Sequence, residues 1–267
     1  MDLIIKKNFN LALDDFKRAY NANQLSLHMA INEIRGRYRR TVLGPFWATL
    51  TVGILILSLS FIYSKLWKID VESYIPYLTS GYIVWLFILS TINEGGTLFV
   101  NQVELLKQIP FPYSQLTIIG LLRNLFIFAH HFVIFIFVCL FLPVNFSFAT
   151  LLFPVGLFLL ILNLSWITLI LGMAGARYRD IPLLVSNLLT VLLFVTPILF
   201  KPEALGSAIW LADFNIIYHF VEVVRKPMLG EYPNILSWYI VILSLVVGYI
   251  FTFFMFAKKR SSIIFWL

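Results

Sequence analysis

Long apolar runs separated by short polar breaks dominate the chain: Pro45–Leu66, Ser73–Ile92, Gln115–Leu142, Phe148–Met173, Ile181–Phe200 and Ile235–Ala257. A helix needs about 20 apolar residues to cross the hydrocarbon core of a bilayer, so each run predicts one membrane-spanning helix. The breaks carry matching punctuation. Pro45 suits a first helical turn, where a missing N–H costs nothing. Lys65, Trp67 and Lys68 make an interfacial anchor after the first run. Pro143 ends the third run, Ala176–Asp180 makes a charged turn after the fourth, and Pro197 bends or ends the fifth.

Three segments outside these runs have patterns of their own. Met1–Asn23 is polar, with scattered Leu11, Leu13 and Phe16, and reads as a loosely ordered lead-in. Leu27–Trp47 then reads as a basic amphipathic helix feeding through Gly44 into the first span. Leu27, Ile31, Ile34 and Tyr38 recur on one helical face, with His28, Asn32, Arg35 and Arg39 opposite. Arg37 and Arg40 complete a run of arginines that suits the headgroup layer. In Asn93–Ser114, Asn101 and Glu104 have capping-box spacing ahead of Val103, Leu105, Leu106 and Ile109, and Pro110 and Pro112 end the pattern. Lys107 gives this short cytoplasmic helix its one cation. Its apolar surface is a liability unless a partner covers it.

Composition agrees with this pattern. The chain has 267 residues, 60% hydrophobic and 12% charged, and a mean hydropathy of +0.90. A soluble domain carries about 25% charge. Six spans leave no room for a large soluble domain, and the arginine cluster has no folded module around it to dock on nucleic acid. The lone Cys139 excludes an internal disulfide. The polar first 43 residues predict no cleavable signal peptide.

Charge placement orients the spans. Fourteen lysines and arginines flank one side: eight in residues 1–44, then Lys107, Arg177, Arg179 and Lys258–Arg260. Five flank the other: Lys65, Lys68, Lys201, Arg225 and Lys226. Both termini are therefore expected in the cytoplasm, with an even number of spans. Parity makes Ala204–Val224, which carries Asp213, Asn215, His219 and Glu222, two short helices that dip into the outer leaflet and return. Pro202 and Glu203 suit the start of one, and Asn215 caps the other, with Glu222 and Lys226 paired four apart.

No catalytic or metal-binding pattern stands out, and G-x-x-x-x-G-K-[ST] has no match. His130 and His131 diverge by about 100° on a helix and are expected to bond across to a neighbouring helix or line a wet cavity. Arg123, inside the third run, either pairs with Glu94 or snorkels. Aromatics make up 17% of the chain. Tyr74, Tyr77 and Trp85 share an arc of the second span, with Tyr82 beside it, and offer flat faces to sugar rings.

These features resemble the membrane subunit of type-2 ABC exporters, in the polysaccharide and O-antigen permease group (Wzm, KpsM and TagG). The resemblance rests on Ile34–Trp47, Leu106–Pro112, Ala176–Ile181, Thr196–Pro197 and Asn215–Arg225, and covers nearly the whole chain from Leu27. Asn215-Ile216 departs from the asparagine-proline pair common in the group. The resemblance implies an all-α integral membrane protein of the bacterial inner membrane, with residues 1–44 cytoplasmic and six spans in 45–267. It implies a homodimer with two copies of a separate ATPase subunit, which holds ATP and Mg, and no cofactor in this chain. It makes Leu27–Tyr38, with its arginines, an interface helix and Asn101–Ile109 a coupling helix, and the cargo a lipid-linked glycan passing between two protomers. Tyr74, Tyr77, Tyr82 and Trp85 are then candidates for the glycan path. Teichoic-acid, lipo-oligosaccharide or drug export is the nearest competitor. A secondary transporter would want acids near the bilayer centre, and a membrane glycosyltransferase a set of acids less scattered than Asp70, Glu72 and Asp213.

Overall fold

The computed structural model describes residues 2–39, 41–42, 44 and 46–267, with side chains from residue 8 onward. Arg40 and Pro45, and the roles expected of them, lie outside the described residues. Among the described residues every regular element is helical. Helices α1 (Asp2–Asn21) and α2 (Asn23–Arg37) precede α3 (Phe46–Trp67) and α4 (Val71–Thr97). The short α5 (Val103–Gln108) leads to α6 (Tyr113–Phe141), α7 (Phe153–Arg177) and α8 (Ile181–Val195). Then come α9 (Trp210–Asp213), α10 (Ile216–Met228) and α11 (Ile235–Trp266), with 3-10 turns at Phe148–Leu152 and Pro202–Ala208.

Among the described residues five helices are long and apolar enough to cross a membrane: α3, α4, α6, α7 with its leading turn, and α11. Helix α8 is shorter than the expected 181–200 span. Its 15 residues reach about 22 Å, against about 30 Å of hydrocarbon. The residue before a proline is pushed out of the helical region, and Thr196, before Pro197, is extended with ψ 135°. Elsewhere the punctuation acts as read. Ile109 and Leu142 are extended ahead of Pro110 and Pro143. At the α3–α4 turn Lys68 adopts a positive φ of 55°, and the Asp70 carboxylate accepts the Ser73 N–H at 3.2 Å.

Helix α4 is the most enclosed span, with 72% of its most apolar stretch buried against 17% for α3. It is surrounded by α3, α6, α7, α8 and α10. A side chain at Gly175 of α7 would collide with the Gly96 carbonyl of α4, and one at Gly156 with the Val223 carbonyl of α10. Small residues are what let helices approach this closely in a membrane. The contacts define two ends of the bundle. At one, α1 meets the start of α6 and the last turns of α11, and Arg179 reaches the Trp266 carbonyl. At the other, α10 and the α8–α9 connection meet the start of α4.

The first segment corrects the expectation of a loose lead-in. Helix α1 places Phe9, Ala12, Phe16 and Ala19 on one face against α6 and α11. Ala12 and Ala19 are buried, and Phe16 packs on Phe253 and Phe256. Two of the four stripe positions are alanine, which is why the stripe is faint in the sequence. Between them sits Asp15, fully buried. Its carboxylate accepts the Ser114 N–H at 3.0 Å, the Ser114 hydroxyl at 2.6 Å and the Tyr113 N–H at 3.2 Å, and pairs with Arg260 at 2.9 Å. It thus caps α6, where the unpaired amides and the dipole favour an anion.

Helix α2 turns a different face to the bundle from the one read. Ser26 and Ala30 are buried and Glu33 points inward, while Leu27 is exposed and Ile31 and Ile34 are half-buried. Polar partners set that face, as shown below. Residues 201–234 form no continuous span. Asn215 caps α10, its Oδ1 accepting from the amides of Ile217 (3.0 Å) and Tyr218 (3.4 Å). The expected Glu222–Lys226 pair does not form. Helix α10 is wedged among α4, α7 and α11, so Glu222 faces inward and pairs with Arg225 at 2.8 Å, while Lys226 reaches outward to Glu231.

Asp15→Ala removes a buried cap and leaves Arg260 unpaired, so it is expected to lower stability by roughly 2–4 kcal/mol. Thermal unfolding of the detergent-solubilised chain checks this, with exposed Asp14→Ala as a near-silent control.

Candidate functional site

The end of the bundle that holds α1 and the last turns of α11 carries the residues from which a coupling surface could be built. Its centre is a cluster of charges from three helices. Arg123 of α6 sits one guanidinium between two carboxylates: Nη2 donates to Glu94 of α4 at 2.6 Å, and Nη1 to Glu33 of α2. Glu94 also accepts from Asn124 Nδ2 at 2.8 Å and from Arg37 of α2 at 3.1 Å. The structure therefore brings together the candidate pair Arg123 and Glu94, and adds Glu33 and Arg37, which pin α2 to the spans. The signal for Glu33 was its place on the Ser26–Ala30–Glu33–Arg37 face, a stripe of small and charged residues that an apolar-face search passes over.

The cluster lies between surface and core. Arg123 side-chain exposure is 13%, and that of the two acids 27% and 28%. Such pairs are partly screened, and each contributes about 1 kcal/mol. Removing Arg123 would do more harm than this figure suggests, since it would leave two acids facing each other. The cluster walls a cavity of about 300 Å³ whose other side is formed by Leu98, Asn101 and Gln102. It therefore opens directly onto the approach to α5.

At α5 the capping box is corrected. Gln102 precedes the helix with no side-chain cap, and Asn101 Nδ2 instead donates to Thr97 Oγ1 at 3.0 Å. The extra turns that carry α4 on to Thr97 supply that acceptor and draw Asn101 away. The apolar side of α5 is also less open than read. Leu106 is buried in the core shared with α1 and α11, and Leu105 is half-buried. Glu104, Lys107 and Ile109 remain exposed. Arg18 of α1 donates to the Pro110 carbonyl at 2.9 Å, tying α1 to the end of α5. Beside them, α2 exposes Arg35, and Arg39 is exposed in the turn that follows it.

The aromatic arc at the other end is corrected more sharply. Tyr74 and Trp85 are 0% and 1% exposed, packed inside the protomer, and Tyr77, 8% exposed, reaches only the edge of a cavity of about 370 Å³ beside Lys201 and Arg225. Tyr82 is half-buried. The tyrosine hydroxyls donate to backbone carbonyls freed where α8 ends: Tyr74 to Leu199, and Tyr77 to Phe200 at 2.8 Å. Carbonyls left bare by the Pro197 break need partners, and these rings supply them. Arg225 completes the arrangement, fully buried, donating to the Pro197 carbonyl at 2.7 Å and stacked 4.4 Å from the Tyr77 ring centroid. Burial pushes the Tyr218 hydroxyl above its ordinary range, and the nearby Glu222 carboxylate adds to the shift. His130 bonds the Phe126 carbonyl of its own helix at 2.7 Å rather than a neighbouring helix, and His131 is buried.

Residues 25–229 match the protein family described as ABC-2 type transporter. The chain is similar to an O-antigen export system permease protein RfbA of Myxococcus xanthus, 23% identical over 188 residues, which cover 69% of this chain and 71% of that protein. It is also similar to an RfbA permease of Klebsiella pneumoniae, 22% identical over 228 residues, covering 80% of this chain and 85% of that one. A further Klebsiella pneumoniae RfbA is 20% identical over 238 residues, 82% of this chain and 85% of its own length.

Glu33→Gln is expected to loosen α2 while leaving Arg123 and Glu94 paired. Hydrogen exchange should quicken about tenfold in the amides of α2, the equivalent of roughly 1.4 kcal/mol, and stay unchanged in α4 and α6. Unchanged protection of α2 would show that the apolar contacts alone hold it.

Proposed function

Because the chain belongs to the ABC-2 type transporter family, we propose that it is the membrane subunit of an ATP-driven exporter of an O-antigen-type, lipid-linked polysaccharide. The observation that carries this reading is the similarity to O-antigen export permeases over 69–82% of the chain. The chain is a multi-pass membrane protein and a permease subunit. ATP hydrolysis belongs to a separate subunit, two copies of which serve a homodimer of this chain in the cytoplasmic membrane of a bacterium. The missing phosphate-loop motif supports that division.

Six crossings account for the arrangement. Beside the five long helices, α8 starts with Pro182 against Gly96 and continues through Pro197 to Arg225 at the opposite end. Its 15 residues and the extended stretch after them complete one further traverse. Both termini then lie in the cytoplasm, and α9 and α10 form a re-entrant cap on the outer side. In this orientation α5, α2 and the Arg123 cluster face the ATPase. Motion received at Glu104, Lys107 and Ile109 of α5 passes to α4 through Asn101 and Thr97, and to α2 and α6 through Glu94 and Arg123. The buried state of Trp85 supports a passage outside the protomer's own core, with a second copy forming its other wall.

In proteoliposomes holding the permease and its ATPase, a lipid-linked glycan should become accessible to an external glycosidase only with ATP. ATP hydrolysis with no glycan movement would reject the cargo. Glu104→Arg leaves every buried contact intact and is expected to lower ATP-linked export about tenfold or more, since reversed charge at an interface costs a few kcal/mol. Export at the wild-type rate would leave α5 a mere connector. Single-cysteine labelling at positions 201 and 234 should mark both from outside, and labelling of 234 from the cytoplasm alone would reject six crossings.

A further inference from the structure

The charged turn Ala176–Asp180 takes no part in the coupling surface just described, yet it borders a cavity of about 230 Å³ between α7 and α11. Each helix supplies the same sequence of surfaces. On α7, Arg177 stands at the mouth, with Met173 one turn and Ile170 two turns further in. On α11, Lys259 stands at the mouth, with Met255 one turn and Phe251 two turns further in. The apolar floor therefore runs about 10–12 Å along the helices from the cations. It runs along the two helices, so with α7 and α11 spanning the membrane as proposed above it faces sideways into the hydrocarbon rather than off the end of the bundle.

The mouth is held in place. Arg177 lies between two aromatic rings, 5.2 Å from the Tyr178 centroid and 5.3 Å from that of Trp266. Arg179 donates to the Trp266 carbonyl at 3.5 Å, which fixes the end of α11 over the opening. Among the described residues neither Arg177 nor Lys259 has a carboxylate within 4.0 Å, the adjacent Asp180 included. Two cations left without an anion above an apolar floor, at headgroup depth in the orientation proposed above, match one chemistry. Their partner carries a phosphate at one end and a hydrocarbon chain at the other.

We propose that this cleft is a binding site for an anionic phospholipid of the cytoplasmic leaflet, its phosphate held by Arg177 and Lys259 and one acyl chain laid along Met173, Met255, Ile170 and Phe251. A free phosphate would leave the floor empty. A peptide from a cytoplasmic partner would have to enter the hydrocarbon to fill it. The bound lipid bridges α7 and α11 where the protein itself provides no ion pair between them.

Native mass spectrometry of the full-length chain, offered phosphatidylglycerol and phosphatidylcholine of matched acyl chains, tests the site. The wild type should retain phosphatidylglycerol in preference by on the order of tenfold, as expected for two cations near the headgroups. Arg177→Gln with Lys259→Gln should bring the preference near parity, while Lys65→Gln with Lys68→Gln at the other end should not. Met255→Glu, which puts an acid in the floor, should abolish retention. No preference in the wild type, or preference and retention surviving these changes, would overturn the proposal. So would retention of a polyprenyl phosphate ahead of phosphatidylglycerol, which would make the cleft a cargo site. Loss of ATPase association by the double variant with lipid preference intact would equally overturn it, assigning the cations to a protein contact.

Discussion

Lipid tails are as apolar as leucine, so water does not press the spans together. What holds this bundle is the closeness of backbones and the polar groups shared between helices. The contact on which the rest depends is that of α4 with α7. Gly175 lies against the Gly96 carbonyl with no room for a side chain, and α4 thereby becomes the post around which α3, α6, α8 and α10 are arranged. Its enclosure explains a second feature. Rings that would belong to an interfacial belt on an outer helix, such as Tyr74 and Trp85, are here interior residues.

Ionised groups supply the links that apolar packing lacks. Asp15 joins α1 to α6 and α11, Arg123 joins α6 to α2 and α4, and Arg225 joins α10 to the end of α8. None of these is a simple pair. Each charge also bonds a backbone amide or carbonyl, or serves two partners, as a poorly solvated ion requires. The two clusters at the α1 end fasten both N-terminal helices to the spans.

Apolar run length and proline punctuation made most of the spans legible, and the Asn215 cap was readable from residue type and place. Failures followed from what periodicity leaves out. The α1 stripe is half alanine, so it registers weakly although Ala12 and Ala19 are buried. The inward face of α2 is chosen by Glu33 and Arg37, whose partners lie 90 and 57 residues away. The arc of Tyr74, Tyr77 and Trp85 was real, but a helical wheel cannot tell a buried side from one lining a passage. Asn101 lost its expected role to a single neighbour, Thr97, available only because α4 runs longer than its hydropathy indicates.

The bond between Asp15 and Arg260 spans 245 positions, and this sets an order of events. Helix α1 leaves the ribosome before α6, and α6 before the turns of α11 that complete the seat of α1. Once α6 is made, Asp15 can cap it, but the bond to Arg260 has to wait for α11, so α1 is at first only half-docked. Closure of that joint therefore waits for α11. The surface that α1 builds with α6 and α11 takes its final shape only then, and a chain stalled before α11 would present an unfinished one.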